Sequence, residues 1–276
     1  MTLNTPSKNT FGLSLICIAT LAFMMPNANA HHEGDHHVVL NTNDQWVSCA
    51  MVVDSTLTQN EFRAFTKDAS SIISLTPKNS AQTLGKNRFD ISLAVLTTAP
   101  IKDYDGSWNN TFSHPDDTHW LVGDSHRLAL PVLNMHMGMT NDLDAGITFT
   151  KDPAANYGFY GFNLKYAMLK EKEKGVTVST RAAYIGLLGV DDMNINQGEI
   201  DLLVSKQFGA LKPYAGVSGL ITSASETTDK VDLNRENVIT AQATMGTQMD
   251  WKYLTIAAEA NIANVNTYLV KVGTTF

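Results

Sequence analysis

An all-β fold, a transmembrane antiparallel up-and-down β-barrel of about ten strands (range 8–12) with a short amphipathic helix ahead of it, is predicted by three features of this sequence. The chain opens with an export signal. Beyond that signal, no apolar run is long enough to cross a membrane as a helix. Segments of alternating apolar and polar residues then recur up to the last residue, Phe276. In hydrocarbon every backbone polar group must be satisfied internally, so a membrane chain without spanning helices has to close its strands into a barrel.

The opening segment carries one charge, Lys8, before the apolar run Phe11 to Met25 and then Pro26-Asn27-Ala28-Asn29-Ala30. A weakly basic start, an apolar stretch shorter than the ~20 residues of a retained anchor, and small residues spaced Ala-x-Ala predict a signal peptide cleaved after Ala30. Cys17 leaves with it and Cys49 remains alone, so an internal disulfide is excluded. Cleavage moves the net charge from -7 to -8, because the segment holds Lys8 and no acid. A net acidic chain argues against nucleic acid as a partner, since phosphate backbones reward basic patches.

Residues 31–86 form the leader to the barrel. Thr58 with Glu61 three residues on spells a capping box, and Leu57 with Phe62 a hydrophobic staple, so a helix is expected to begin here. Phe62, Phe65, Ala69, Ile72 and Ile73 share one face until Pro77 stops it. Such a face needs an apolar partner: under the periplasmic mouth, partly within the lumen, or on the membrane surface.

The barrel is expected over residues 87–276. Phe89, Ile91, Leu93 and Val95 alternate with Asp90 and Ser92; Leu133, Met135 and Met137 with Asn134 and His136; Leu143, Ala145 and Ile147 with Asp144 and Thr148. The same period holds in Tyr160 to Met168, Val176 to Tyr184, Ile200 to Val204, Ile239 to Met245 and Leu254 to Ile262; Pro213 to Thr222 alternates poorly. Period two marks a half-buried strand, and ~9–12 residues suit a tilted membrane crossing. The last strand sets Tyr268, Val270, Val272 and Phe276 on one face, the aromatic-ended signal of barrel insertion, against Leu269 and Lys271. With Phe276 periplasmic, parity puts the turns near 138–142, 170–175, 208–212 and 250–252 inside the cell envelope and the longer loops 102–125, 151–156, 188–197 and 224–236 outside.

The helix LTQNEFRAFTKDASSIISL, the segments PVLNMHMGMTNDLDAGITF and YGFNLKYAML, the turn KQFGALKPYAGV and the closing YLVKVGTTF together resemble a family of uncharacterised proteobacterial outer-membrane barrel proteins. The resemblance covers most of the chain after Ala30, apart from the His-rich start. It implies the fold and an outer-membrane location, and it brings no activity. Outer-membrane lipid, the outer-membrane assembly machinery that the aromatic-ended last strand would address, and periplasmic chaperones are the expected partners.

Several residue groups bear on function. The inward faces collect Asp90, His136, Asp144, Lys165, Arg181, Asp201, Glu259 and Lys271. In a narrow lumen these form either a structural ion-pair network or a polar conduit, with Lys165 and Arg181 on adjacent strands attracting an anion. His31, His32, Asp35, His36 and His37 supply imidazoles and a carboxylate for weak transition-metal binding, or form a polar leader without fixed geometry; no other cofactor is expected. His114 to His119 is a second polar cluster, and Asp124-Ser125-His126 has the residue types of a hydrolase triad but only as sequence neighbours. Tyr160, Tyr166, Tyr184, Tyr214, Trp251, Tyr253 and Tyr268 read as interfacial girdles. The expectation is therefore a non-catalytic outer-membrane barrel: a narrow channel, small-solute binder or envelope scaffold, the alternative being a metal-binding envelope protein anchored by its barrel.

Overall fold

The computed structural model describes residues 50–75, 77–101, 106–113, 127–152, 155–171 and 175–276. Residues 1–30, predicted above to be a signal peptide, the histidines at 31–37, Cys49 and the clusters at 114–126 lie outside the described residues. In chain order the elements are β1 (Ala50–Met51), α1 (Gln59–Ile72), β2 (Phe89–Thr98), β3 (Phe112–Ser113), β4 (Ala129–Gly138), β5 (Leu143–Lys151) and β6 (Gly158–Leu169), followed by β7 (Thr177–Leu188), β8 (Met193–Ser205), β9 (Leu211–Glu226), β10 (Glu236–Trp251), β11 (Leu254–Ile262) and β12 (Thr267–Thr275).

Ten strands, β2 and β4 to β12, close into one antiparallel barrel, each beside its sequence neighbour and β12 beside β2. The seam runs from Thr267 opposite Thr98 to Thr275 opposite Asp90. Phe276 locks it: its amide donates to the Phe89 carbonyl and the Phe89 amide donates back, both at 2.9 Å. Their rings stack 6.0 Å apart. The outward face is apolar in its middle, with Ile200, Val217, Ile221, Ile239, Phe162 and Val270 all more than half exposed. A closed sheet that turns this much apolar surface outward is solvated by lipid.

β4 and β5, β6 and β7, β8 and β9, and β10 and β11 connect at one end, here the turn end; β2 and β4, β5 and β6, β7 and β8, β9 and β10, and β11 and β12 connect at the other, the loop end. Two expectations change here. The connection expected over 188–197 shrinks to 189–192, because β8 starts at Met193. β9 and β10 likewise lengthen to 16 residues each. In these extensions the alternation inverts: Met193, Ile195, Ala224 and Val238 are buried inside, while Asn194 and Asn237 face out. The wall there rises beyond the apolar band and packs inward like a soluble core, so the polar outer residues make it read as loop. Tyr214 is the second correction. It points into the lumen, 5% exposed, rather than into the girdle. Gly246 opposite makes room, since a Cβ there would sit 2.5 Å from the Tyr214 ring.

The helix lies within the barrel. Thr58 caps α1 with the full capping box to Glu61, and Phe62, Phe65, Ala69, Ile72 and Ile73 are buried with Leu57 in one core with the inner-wall residues Leu96, Leu130, Ile185, Ile195 and Leu269. α1 runs along β9 and β10. Over it, Trp108 and Phe112 from the long connection stack at 5.6 Å, and Phe65 meets Trp108 edge-on at 4.9 Å. Trp108 Nε1 donates to Asp68 at 3.1 Å. β1 pairs with β3 at this loop end, so the chain enters there, descends through the lumen and leaves at the turn end into β2. At the exit, a Cβ on Gly138 would lie 1.8 Å from the Gly85 carbonyl oxygen, so only glycine lets the descending chain pass.

Candidate functional site

The described residues between α1 and β2 form no helix or strand, yet they cross a lumen where unpaired backbone groups are costly. Wall side chains satisfy them. The Lys78 amide donates to Glu259 at 3.0 Å, the Ser80 amide to Gln248 at 3.1 Å, and the Ala81 amide to Ser205 at 3.1 Å. Lys165 Nζ donates to the carbonyls of Ser80 and Gln82 at 3.2 and 2.9 Å, while the Leu84 amide reaches Asp144 at 3.0 Å. Five strands thus hold one irregular stretch in place, which makes it a plug rather than a loose leader.

Below the apolar core lies a charged layer. Lys78 Nζ is 2.8 Å from Glu199 Oε1 and 3.9 Å from Asp201, with all three side chains withdrawn from solvent. Arg181 joins both acids, Nη2 to Glu199 at 2.8 Å and Nε to Asp201 at 2.5 Å. Ser74 donates to Glu199, and Ser218 to Asp201. Two cations and two carboxylates balance, and the two serine hydroxyls add hydrogen bonds, which meets the need of buried ions for both charge and hydrogen-bond partners. Glu259 instead accepts from the plug and from the Tyr214 hydroxyl at 3.0 Å.

Arg181 and Lys165 stand opposite each other on β7 and β6, as adjacent strands place them. They serve different partners, however. Arg181 is spent on the two acids, and Lys165 turns toward the plug and Asp144, 3.8 Å away. Glu199 and Lys78 are the two members of the layer that sequence reasoning missed. Glu199 falls on the inner face two residues before Asp201, a period-two signal hidden by starting the strand at Ile200. Lys78 follows Pro77 in a polar stretch without periodicity and carries no such signal.

Toward the turn end the plug and the walls of β2, β4 to β6 and β9 to β12 line a polar cavity of about 300 Å³. Three carboxylates face it, each with its own lysine: Asp90 with Lys271 at 3.0 Å, Asp144 with Lys165 at 3.8 Å, and Asp250 with Lys212 at 2.6 Å. Thr275 and Ser92 add donors to Asp90 at 3.2 and 3.3 Å. His136 borders the same cavity with its ring against Gly146, where a Cβ would lie 2.2 Å from the imidazole. Its Nδ1, buried, has no hydrogen-bond partner and is 3.9 Å from Asp90, too far for one. Asn79 Oδ1 is likewise buried and unpartnered at the cavity. Arg88 and Lys252 stand exposed at its rim. Among the described residues no three His, Cys, Asp or Glu side chains cluster as a metal site would require.

No protein-family model matches this chain, and no curated protein sequence matches it. Solved structures with a similar architecture include the N-terminal β-barrel domain of OprF from Pseudomonas aeruginosa, at 11% identity over 70% of this chain and 99% of that one, with a TM-score of 0.30. OprG from the same organism is 9% identical over 72% of this chain and 99% of its own, with a TM-score of 0.33. The outer membrane protease OmpT of Escherichia coli is 7% identical over 72% and 98%, also at 0.33.

Proposed function

We propose that this chain is a non-catalytic barrel of the bacterial outer membrane, shut by its own N-terminal segment, that binds a small solute in the polar cavity at the turn end. The turn end faces the periplasm in this reading, as short turns do in such barrels. One observation carries it: the lumen that would have to conduct is filled by α1 and the plug, whereas the space left open is a polar cavity at one mouth. Its volume falls at the small end of ligand sites, which begin near ~300 Å³. A narrow open channel would need a continuous polar path, and the apolar core around Phe62, Phe65 and Trp108 interrupts one.

Planar-bilayer recording of the purified full chain tests this reading. The expected result is a silent membrane, with conductance appearing only in variants whose plug has lost its ties. Steady, discrete openings of the unmodified protein would replace it with the channel reading.

A further inference from the structure

We infer that the ligand of the turn-end cavity is a small hydrogen-phosphate-type oxyanion, inorganic phosphate or a small hydroxyl-bearing phosphomonoester, gripped by Arg88 and Lys252 at the rim and by His136 and Asn79 within. This rests on the solute-binding reading above and adds the ligand's charge and chemistry.

Charge comes first. Arg88, Lys165, Lys212, Lys252 and Lys271 face the cavity against Asp90, Asp144 and Asp250, an excess of two cations. The chain as a whole has a net charge of -7, so the excess runs against its background. The three lysines with carboxylate partners are already neutralised. Arg88 and Lys252 are the surplus, and among the described residues their side chains make no ion pair. A ligand of charge near two completes the site, and a cation or neutral solute leaves the excess standing.

Placement agrees. Lys252 sits on the turn from β10 to β11, and Arg88 enters β2, with β12 between β11 and β2. Two strand spacings separate them, about 10 Å. Both side chains line the cavity and are long enough to span that gap to an anion a few ångströms wide, and an arginine fork suits an oxyanion.

The interior atoms select the kind of oxyanion. His136 Nδ1 is a buried ring nitrogen that serves a ligand oxygen as donor in one tautomer. Asn79 Nδ2 already donates to the Pro77 carbonyl at 3.3 Å, which leaves Oδ1 as an unmet acceptor. An acceptor at an anion site is repulsive unless the ligand brings a hydroxyl. Hydrogen phosphate brings one together with two charges; sulfate and dicarboxylates at neutral pH do not.

Titration calorimetry of the full chain in neutral-detergent micelles, in about 0.15 M sodium chloride so that diffuse attraction is screened, tests the inference with inorganic phosphate, sulfate, succinate and glucose. Phosphate is expected to bind, with sulfate and succinate at least about tenfold weaker. Arg88→Gln and Lys252→Gln are expected to weaken phosphate by about tenfold each, the loss of one charge-assisted contact, and Asn79→Asp to abolish it. Both rim positions are exposed, and heat-modifiable gel mobility verifies the fold of each variant. Equal affinity for sulfate and phosphate, or phosphate binding unchanged in the Arg88→Gln/Lys252→Gln protein, overturns the inference. Glucose binding without phosphate binding overturns it and leaves the solute-binding reading standing. Silence toward all four probes overturns the inference, and open conductance of the unmodified barrel overturns the reading beneath it.

Discussion

The Lys78 ammonium lies 2.8 Å from the Glu199 carboxylate, the shorter of the two ion pairs in the charged layer by which Lys78 joins the plug to the barrel wall. Both side chains are fully withdrawn from solvent. Lys78→Met would leave Arg181 facing two carboxylates with one unit of negative charge uncompensated, a change that costs about 3–5 kcal/mol when buried. The double variant Lys78→Met/Glu199→Gln restores balance, with Arg181 on Asp201. Urea unfolding in micelles should show the single variant well below the unmodified protein and the double recovering most of the difference. Equal losses in both would mean that packing, not charge balance, ties the plug.

A second expectation concerns direction. The chain enters the lumen at the loop end, where Ser55 is exposed, and the β8 to β9 turn with exposed Ala210 lies at the opposite end. In a Cys49→Ser background, Ser55→Cys should react with a membrane-impermeant maleimide on intact cells, and Ala210→Cys only after lysis. The reverse pattern would turn the barrel over and place the polar cavity at the cell surface.

The aromatic lid gives a third. Trp108→Phe keeps a ring beside Phe65 and Phe112 but deletes the 3.1 Å hydrogen bond to Asp68, a net loss of about 1–2 kcal/mol. Trp108→Ala also empties a buried site beneath the lid and should cost about 3–5 kcal/mol. Limited proteolysis around the exposed Asp54 to Thr56 stretch reports both, and cleavage is expected to rise far more in Trp108→Ala.

The barrel was legible in the sequence because lipid imposes one rule on every crossing: apolar outward at each second residue. Ile200, Ile221 and Val270 obey it, and the capping box of Thr58 and Glu61 announced α1 by local chemistry alone. Legibility fails where the surroundings change. Past the membrane band Met193 and Ile195 turn their apolar side chains inward onto the core, so the same period carries the opposite phase. Tyr214 looks like a girdle residue until Gly246 reveals the space opposite it. Lys78 has no periodicity to betray it, because its position is set by wall groups far away in sequence. The cavity depends on the same long-range placement: His136 and Asp90 are visible as inward residues, yet Asn79, Arg88 and Lys252 join them only when the plug is threaded.

Phe276 supplies the last prediction. Its two 2.9 Å backbone bonds to Phe89 and the stacked rings close the seam between the first and last barrel strands. Phe276→Ala preserves the backbone bonds and removes the ring, so a finished barrel should lose only the aromatic pair, about 0.5–1.5 kcal/mol beyond its area. Assembly is expected to be the more sensitive step if the apolar face of Tyr268, Val270, Val272 and Phe276 serves as the insertion signal that its sequence pattern predicts. Pulse-chase labelling should therefore show slower conversion to the heat-modifiable form, while the variant, once folded, unfolds in urea near the unmodified midpoint. A large fall in that midpoint with normal assembly would make Phe276 a structural clasp and not a recognition signal.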